Sequence, residues 1–406
     1  MTKKARHNPM LFCLVGLMLC APLYGSDDSD GKNPASIAGE LSKQLVQQFP
    51  DPWLMRESDG AYRWSYTIGL VLLGMERLAG QDGDEQTERY IQRFADHYIQ
   101  PDGTIGTLDL TEFNIDSINS GKILFSLYER TGDERYRLAM QQLRRQLQWQ
   151  PRTHSGGFWH KLKYPWQIWL DGIYMAQPFL AQYEASFGDD PQVFDDIVSQ
   201  FVTIEAKTRD PATGLLFHGW DESRLQAWSN PESGLSPGFW SRAIGWYAMA
   251  IVDTLDYLPA GHPGHTALPA ILQRLVDAML PWQHESGLWY QVPDQGSLEG
   301  NWLETSGTSM MVYAVAKGVR QGVLDESYLG SARKGYAGLL RDVVSVHADG
   351  RVEVRDICRS AGLGGDPYRD GSYQYYVSTD RVSDDAHGVG SFLLAASEMA
   401  LLEQSR

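Results

Sequence analysis

The sequence predicts an all-α protein with the architecture of an (α/α)6 barrel, which is a ring of six helical hairpins. Two observations lead to this prediction. About twelve segments show the apolar spacing of amphipathic helices, and they fall into pairs joined by short turns. The pairs recur at intervals above about fifty residues, with similar loops between them. An array without capping repeats can satisfy its edges by closing into a ring.

The predicted helices are of two types. Inner helices are expected to be apolar and rich in small residues, as in 64–80 and 240–258, whereas outer helices such as 86–100 and 135–148 carry a charged face. In chain order the predicted helices are 34–48, 64–80, 86–99, 116–131, 133–148, 168–186, 191–207, 239–256, 265–283, 304–321, 325–343 and 386–404.

Recurring turn signals support the pairing. The second helix of many pairs follows turn and N-cap residues and opens with acidic side chains, which favour a helix N-terminus. These signals are Gly83-Asp84-Glu85, Gly132-Asp133-Glu134, Gly188-Asp189-Asp190 and Leu324-Asp325-Glu326. Such a helix is then followed by a glycine turn with aromatic or β-branched neighbours, which predicts a short hairpin-like loop. These loops lie around Gly103, Gly156, Gly214, Gly287 and Gly350.

The N-terminus has the pattern of a secretory signal peptide over residues 1–25. Three basic residues precede an apolar stretch at 10–19 and small residues at 21–25. Residues 26–33 are predicted to be a flexible leader. A single (α/α)6-barrel domain is then expected over 34–406, since its length suits one large domain.

Export to a bacterial periplasm is the expected location. Cys358 is the only cysteine after the predicted signal, so no disulfide is expected within the mature chain. A lipid anchor at Cys20 is a weaker alternative, because Leu19 stands where a small residue is preferred.

Composition excludes several classes of partner. The net charge of −16 argues against nucleic acid. No apolar run after the N-terminus is long enough to span a membrane. The histidines lack HxH or HExxH spacing and thiols are scarce, so no metal is expected. No cofactor is expected either. Neither a glycine-rich phosphate loop nor the G-x-S-x-G nucleophile motif occurs in a strand context. Oligomeric state is not indicated.

The unusual polar and aromatic residues lie in the loops that lead into the inner helices. In a closed ring these loops share one end, so their side chains are expected to converge on one pocket. The pocket would have aromatic walls, two carboxylates, two histidines and an arginine. Its members are Tyr66 at the first inner helix, Asp116 at the second, His160 and Asp171 at the third, and His218, Trp240, Arg242 and Trp246 at the fourth.

Asp171 is the candidate proton donor of this pocket. It lies among tryptophans and aliphatic residues at a helix start, and apolar surroundings raise the pKa of a carboxyl group. Repulsion from Asp116 is expected to raise the pKa values of both carboxyl groups. Such an acid can protonate a sugar-like substrate. Arg242 offers a planar fork for a substrate carboxylate.

Each of these residues also has a purely structural interpretation. Asp171 and Asp116 could be helix caps. His160 and His218 could be hydrogen-bonded core histidines, and the two tryptophans could be core residues. Arg242 could pair with an acid of the chain. All of them fall at the same phase of the repeat, which favours the functional interpretation.

Several segments together resemble the unsaturated rhamnogalacturonyl hydrolases, which are glycoside hydrolase family 105, close kin of the unsaturated glucuronyl hydrolases of family 88. The resemblance runs from about residue 35 to the C-terminus. The segments are 113–119 (Phe-Asn-Ile-Asp-Ser-Ile-Asn), 158–160 (Phe-Trp-His), 169–175 (Trp-Leu-Asp-Gly-Ile-Tyr-Met), 218–221 (His-Gly-Trp-Asp), 239–247 (Phe-Trp-Ser-Arg-Ala-Ile-Gly-Trp-Tyr), 371–376 (Gly-Ser-Tyr-Gln-Tyr-Tyr) and 387–390 (His-Gly-Val-Gly).

The resemblance implies an (α/α)6-barrel hydrolase that removes an unsaturated uronic acid from oligosaccharides made by polysaccharide lyases. It implies that Asp171 is the general acid and base and that Asp116 assists it. The implied uronate subsite is formed by Tyr66, His160, His218, Trp240, Arg242 and Trp246. The sequence departs from the family at Ser117, where histidine is frequent, and at Ser120, where proline is common. These departures leave the choice of substrate open.

Three functions remain to be distinguished. The first is hydration of the C4=C5 enol ether of the unsaturated uronate, with Asp171 as acid and then base. The second is an inverting glycosidase on saturated oligosaccharides, in which the two carboxyl groups are about 6.5–9.5 Å apart. The third is an exported sugar-binding protein with a degenerate site, which would bind the same ligands without turnover.

Overall fold

An inner ring of helices organises the chain. The structure is a computed structural model that describes residues 34–57 and 59–404. The predicted signal peptide 1–25 and leader 26–33 lie outside the described residues. From Pro34 onward the chain forms one compact unit. The α-helices are α1 (Pro34–Gln48), α2 (Tyr66–Asp82), α3 (Glu85–Tyr98), α4 (Ile123–Thr131), α5 (Glu134–Gln148), α6 (Leu170–Phe187), α7 (Gln192–Thr208), α8 (Ser241–Leu255), α9 (Gly264–Met279), α10 (Thr305–Arg320), α11 (Leu329–Gly338), α12 (Tyr373–Val377) and α13 (Ala386–Gln404).

The inner ring is closed. Around the ring, α2 packs on the segment that leads into α4, then follow α6, α8, α10 and α13, and α13 packs back on α2. The outer helices α1, α3, α5, α7, α9 and α11 each pack on an inner neighbour. This arrangement confirms the predicted all-α (α/α)6 barrel.

Burial explains which helices are inside. Every residue of α8, from Ser241 to Leu255, is buried, because this helix is covered on all sides. In α3 the buried residues recur at helical spacing, as at Thr87, Tyr90, Ile91 and Phe94, and the opposite face is charged. The sequence contrast between inner and outer helices therefore reflects their depth in the barrel.

The second inner element differs from the prediction of one helix over 116–131. The chain forms a 3₁₀ helix over Ile115–Lys122 and becomes α-helical only at Ile123. Side chains of this segment bond to the start of α2, where the Asn119 amide donates to the Tyr66 carbonyl at 3.0 Å. The Ser120 hydroxyl donates to the Ser65 carbonyl at 2.5 Å, which ties the segment to the start of α2. The tighter helix brings this part of the ring close to α2.

Short antiparallel strand pairs line the loops. The strands are β1 (Gln167–Trp169), β2 (Gly219–Asp221), β3 (Trp289–Tyr290), β4 (Leu303–Glu304), β5 (Val344–Val346), β6 (Val352–Val354), β7 (Ile357–Cys358) and β8 (Arg381–Val382), paired β1–β2, β3–β4, β5–β6 and β7–β8. The loop predicted around Gly350 joins β5 to β6. Antiparallel bridges also close the loops around Gly103, Gly156 and Gly214, as predicted.

No helix in the described part of the chain is both long and apolar enough to cross a membrane.

Candidate active site

The pair β1–β2 places Asp171 beside His218. β1 runs directly into α6, and Asp171 is the second residue of that helix. β2 begins just after His218, whose carbonyl accepts the Leu170 N–H at 3.0 Å. Nε2 of His218 consequently lies 3.0 Å from Oδ2 of Asp171. The His218 ring is fully buried, and 14% of the Asp171 side chain is exposed.

Asp171 is not a helix cap. The N-cap position of α6 is Trp169, which makes no side-chain capping bond. Oδ2 of Asp171 has no aligned hydrogen bond in the described part of the chain, although it contacts His218. The capping interpretation of Asp171 is therefore wrong. Asp116 is not a cap either, because Asn114 accepts the Asp116 N–H at 3.1 Å.

Asp116 is paired with two cationic or potentially cationic side chains. Nζ of Lys161 lies 2.6 Å from Oδ2 of Asp116, and Nε2 of His160 lies 3.1 Å from Oδ1. Burial acts to raise the pKa of Asp116, but Lys161 and His160 outweigh it and hold this pKa well below its usual range. The expectation that like-charge repulsion raises the pKa of Asp116 is therefore wrong, because these two neighbours dominate.

His160 lies between Asp116 and Gly172, the residue after Asp171. Its ring stacks on Trp169 with centroids 4.4 Å apart, while its Nε2 faces Asp116. The other side of the ring lies against Gly172, where an added Cβ would be 2.9 Å from Nδ1 of His160. The residue after Asp171 must therefore be small for His160 to reach Asp116.

Arg242 is buried and bound to the chain itself. Its Nη1 donates to the Cys358 carbonyl at 2.5 Å and to the Ser306 hydroxyl at 3.3 Å. Its Nε is buried without a partner in the described part of the chain. The guanidinium therefore holds the loop at Cys358, and no carboxylate of the described chain forms an ion pair with it.

Trp240 is buried beside His218. Its ring stacks on Tyr376 at 6.0 Å and lies 5.0 Å from His218, and its Nε1 donates to Gln291. Tyr376 also fixes His218, since its hydroxyl is 2.7 Å from Nδ1 of that ring. Trp240 and Tyr376 thus set the orientation of the histidine that faces Asp171.

Tyr66 and Trp246 lie at the centre of the ring. Trp246 is buried and packs on Tyr174 at 4.8 Å and against Tyr66 at 6.4 Å. Burial raises the pKa of Tyr66 well above its usual value, and the charges of Asp116 and Asp171 act in the same direction. The charges of both aspartates therefore act on the Tyr66 hydroxyl group.

A cavity of about 350 Å³ opens at this end of the barrel. Tyr66, Asp116 and Lys161 line it, together with Glu57, whose pKa is raised to about 7 mainly by burial. Asp171, His218 and Arg242 are not among its lining residues. Of the eight predicted site residues, Tyr66 and Asp116 line this cavity.

Five residues of this region were not predicted: Glu57, Lys161, Tyr376, Asp385 and His387. Lys161 follows His160 directly, and a basic residue next to a candidate site histidine was a usable signal. His387 belongs to a segment that carried the family resemblance. Glu57 gave no signal, because it precedes the first inner helix by several residues in an irregular loop.

Within the described residues, no group of three or more His, Cys, Asp or Glu side chains is arranged to hold a metal ion. The site is built from carboxylates, imidazoles, ammonium and guanidinium groups, and aromatic rings.

Comparisons with known proteins agree with the fold. Residues 37–402 match the family model described as Glycosyl Hydrolase Family 88. The structure of a family 105 glycoside hydrolase from C. acetobutylicum ATCC 824 is similar, with a TM-score of 0.85 and 42% identity over 90% of this chain and 99% of that one.

Two curated proteins are also similar. Protein Atu3128 of Agrobacterium fabrum is 40% identical over 234 residues, which are 56% of this chain and 99% of that protein. The unsaturated rhamnogalacturonyl hydrolase YesR of Bacillus subtilis is 26% identical over 318 residues, which are 77% of this chain and 85% of that protein.

Proposed function

The chain belongs to glycosyl hydrolase family 88 and its relatives of family 105, and is a glycoside hydrolase; from this we propose that it removes a 4,5-unsaturated uronic acid from the non-reducing end of lyase-generated oligosaccharides. The proposed uronate is galacturonyl or a related epimer, and the proposed substrates are unsaturated rhamnogalacturonan fragments. The similarity to YesR supports this choice.

The proposal rests on the different ionic neighbours of the two carboxylates, Asp116 and Asp171. Lys161 and His160 keep the pKa of Asp116 far below neutrality, so Asp116 is an anion at working pH. Asp171 has one close ionic neighbour among the described residues, His218. Of the two aspartates, only Asp171 is therefore free of a fixed cation and able to carry a proton to a substrate. Carboxyl groups in different environments divide the acid and anion roles in this way.

The proposed reaction is hydration of the enol ether. Asp171 delivers its proton to C4, and positive charge develops at C5 and the ring oxygen. The anionic Asp116 favours that charge electrostatically. The ionised Asp171 then takes a proton from water as the water oxygen adds to C5. The hemiketal opens to a ketone, and the hemiacetal left at C1 breaks down to an aldehyde and releases the remaining sugar.

The test is a panel of unsaturated disaccharides from pectin, ulvan and glycosaminoglycan lyases. Loss of the ultraviolet band of the enol ether reports hydration. We expect turnover of at least the rhamnogalacturonan product, with saturated oligosaccharides left intact. Cleavage of saturated oligosaccharides alone would support an inverting glycosidase, and binding without turnover would support a sugar-binding protein.

Export to the periplasm is part of the proposal. It is supported by the basic, apolar and small-residue pattern of residues 1–25. Fractionation of cells that express the full chain, with N-terminal sequencing of the product, tests it. A cytoplasmic product that retains residues 1–25 would contradict it.

A further inference from the structure

A chain of three side chains connects Tyr66 to the first turn of α13. The hydroxyl of Tyr66 lies 2.7 Å from Nε2 of His387, and Nδ1 of His387 lies 2.7 Å from Oδ1 of Asp385. The same carboxylate oxygen accepts the backbone N–H of His387 at 3.0 Å. The His387 ring is 2% exposed and the Asp385 side chain 11%. These contacts fix both ends of the imidazole.

The chemistry of the partners assigns the proton on each nitrogen. An ionised carboxylate can only accept, so Nδ1 of His387 carries a hydrogen and donates to Asp385. Burial opposes ionisation of Asp385, but His387 and Arg242 outweigh it and lower its pKa. Burial, followed by the charge of Arg242, lowers the pKa of His387, so the ring is neutral and its Nε2 has a free lone pair.

The phenol must then donate to His387. Burial keeps the pKa of Tyr66 well above its usual value, so the hydroxyl retains its proton. The groups that act on His387 from the surrounding elements are Tyr66 of α2, Arg242 of α8, Glu304 before α10, and Asp385. Only Nε2 of His387 hydrogen-bonds the Tyr66 hydroxyl among the described residues.

We propose that Asp385 and His387 are positioning residues that hold the hydroxyl proton of Tyr66 in a hydrogen bond to Nε2 of His387. The phenol oxygen is then left to accept a hydrogen bond from a substrate hydroxyl group. Tyr66 is then a specificity-determining residue for a donor group, and it rejects a carboxylate at the same place. This inference rests on the proposed function and adds to it a directional contact.

The unsaturated uronate limits which hydroxyl this is. Its C4 and C5 are alkene carbons, C6 is the carboxylate, and C1 bears the glycosidic bond, so the free hydroxyl groups are those on C2 and C3. Tyr66 lines the cavity next to Asp116, which is also an acceptor. The two acceptors together select a sugar face that presents hydroxyl donors.

The kinetic test compares the unsaturated disaccharide with analogues deoxygenated at C2 and at C3 of the uronate. For the wild type, kcat/KM should fall on the order of 10-fold for one of the two analogues, the value of one neutral hydrogen bond. The preference is the ratio of kcat/KM for the parent disaccharide to kcat/KM for that analogue. In Tyr66→Phe the kcat/KM for the parent disaccharide should fall, and the preference should drop to about one. In Asp385→Ala the preference should also shrink, because Nδ1 of His387 loses its acceptor and the histidine proton is no longer held on Nδ1.

The matched control is Asp384→Asn. Asp384 is the adjacent carboxylate and accepts the Val354 N–H at 2.8 Å, which an asparagine oxygen can also do. Its preference for the parent disaccharide should equal that of the wild type. A preference near one in the wild type, or a preference that survives Tyr66→Phe, would overturn the inference.

Nitrogen-15 NMR of labelled histidine gives a readout that does not depend on turnover. The His387 signals should show a protonated Nδ1 and an unprotonated Nε2 in the wild type, and a population protonated at Nε2 in Asp385→Ala. A wild-type ring protonated at Nε2 would refute the inference even if the enzyme hydrates its substrate. Absence of turnover on every unsaturated disaccharide, with the expected tautomer present, would instead refute the proposed function.

Discussion

Asp116 and Asp171 are the same residue type at one end of the barrel, yet their neighbours differ. Asp116 lies against Lys161 and His160, whereas among the described residues Asp171 forms an ion pair with His218 alone. At the residue scale, this difference supports the proposed roles, in which Asp116 is the anion and Asp171 carries the proton. Sequence proximity cannot give the difference, because Asp116 meets Lys161 through contacts between two repeats.

Asp171→Asn should remove turnover of unsaturated disaccharides by at least about 10³-fold, since the amide can neither give nor take the proton. The fold should remain, because the asparagine side chain is isosteric and Asp171 makes no capping bond. The measurement is loss of the enol-ether band, with circular dichroism to confirm folding. Activity close to wild type would exclude Asp171 as the acid.

Lys161→Met should move the acidic limb of the pH profile of kcat/KM to higher pH. Lys161 helps to hold the pKa of Asp116 low, so its removal lets Asp116 protonate as the pH falls, closer to the ordinary aspartate pKa. Lys163→Met is the matched control, because Lys163 lines the same cavity and is not paired with Asp116. Identical shifts in both variants would contradict the assignment.

At the element scale, the loops before the inner helices carry the chemistry. The predicted starts at residues 64, 168 and 239 each lie two residues before the observed starts at Tyr66, Leu170 and Ser241. Trp169 and Trp240 have extended backbones at these points. The apolar spacing that predicts a helix continues through these residues. This spacing therefore placed them in the helices, although they belong to the loops.

Gly172→Ala should lower kcat/KM by about 10²-fold, because a shift of about 1 Å in a site residue has an effect of this size. The added Cβ would lie 2.5 Å from Cδ1 of Ile115 and 2.9 Å from Nδ1 of His160, so the His160 ring must shift from its position against Asp116. Gly80→Ala in α2 is the control, because a Cβ there meets nothing within 4 Å. It should keep full activity and gain about 0.5–1 kcal/mol of stability. Full activity of Gly172→Ala would show that the position of His160 is not critical.

At the scale of the whole molecule, the barrel has two polar ends. Lys122 and Asp253 line a second cavity, of about 280 Å³, at the ends of the inner helices opposite the site. Burial raises the pKa of Glu76 in this cavity to about 7. The closed ring was predictable because each repeat carries its own apolar spacing and turn signals in the local sequence. The polar network at the second end was not predictable from the sequence. Its members come from separate helices, and their positions have no sequence feature that distinguishes them from other helix residues.

Glu76→Gln should stabilise the protein at pH 8 and have little effect at pH 5. The folded-state pKa of Glu76 is raised from 4.5 to about 7, so its favourable contribution is full below pH 4.5 and is lost as the pH rises to about 7. A neutral glutamine avoids that loss. Thermal unfolding at both pH values measures the effect, and Glu129→Gln, an exposed carboxylate of the same cavity, serves as the control. Stabilisation of equal size at pH 5 and pH 8 would contradict this explanation. Activity should be unchanged in both variants, because the site lies at the other end of the barrel.

Turnover of an unsaturated rhamnogalacturonan disaccharide in D₂O tests the proposed hydration most directly. If Asp171 protonates C4, the released keto-aldehyde carries one deuterium at C4 at early times, as mass spectrometry and NMR can show. Release of the partner sugar with the C4=C5 bond intact and no deuterium at C4 would mean direct cleavage at C1, and it would contradict the account.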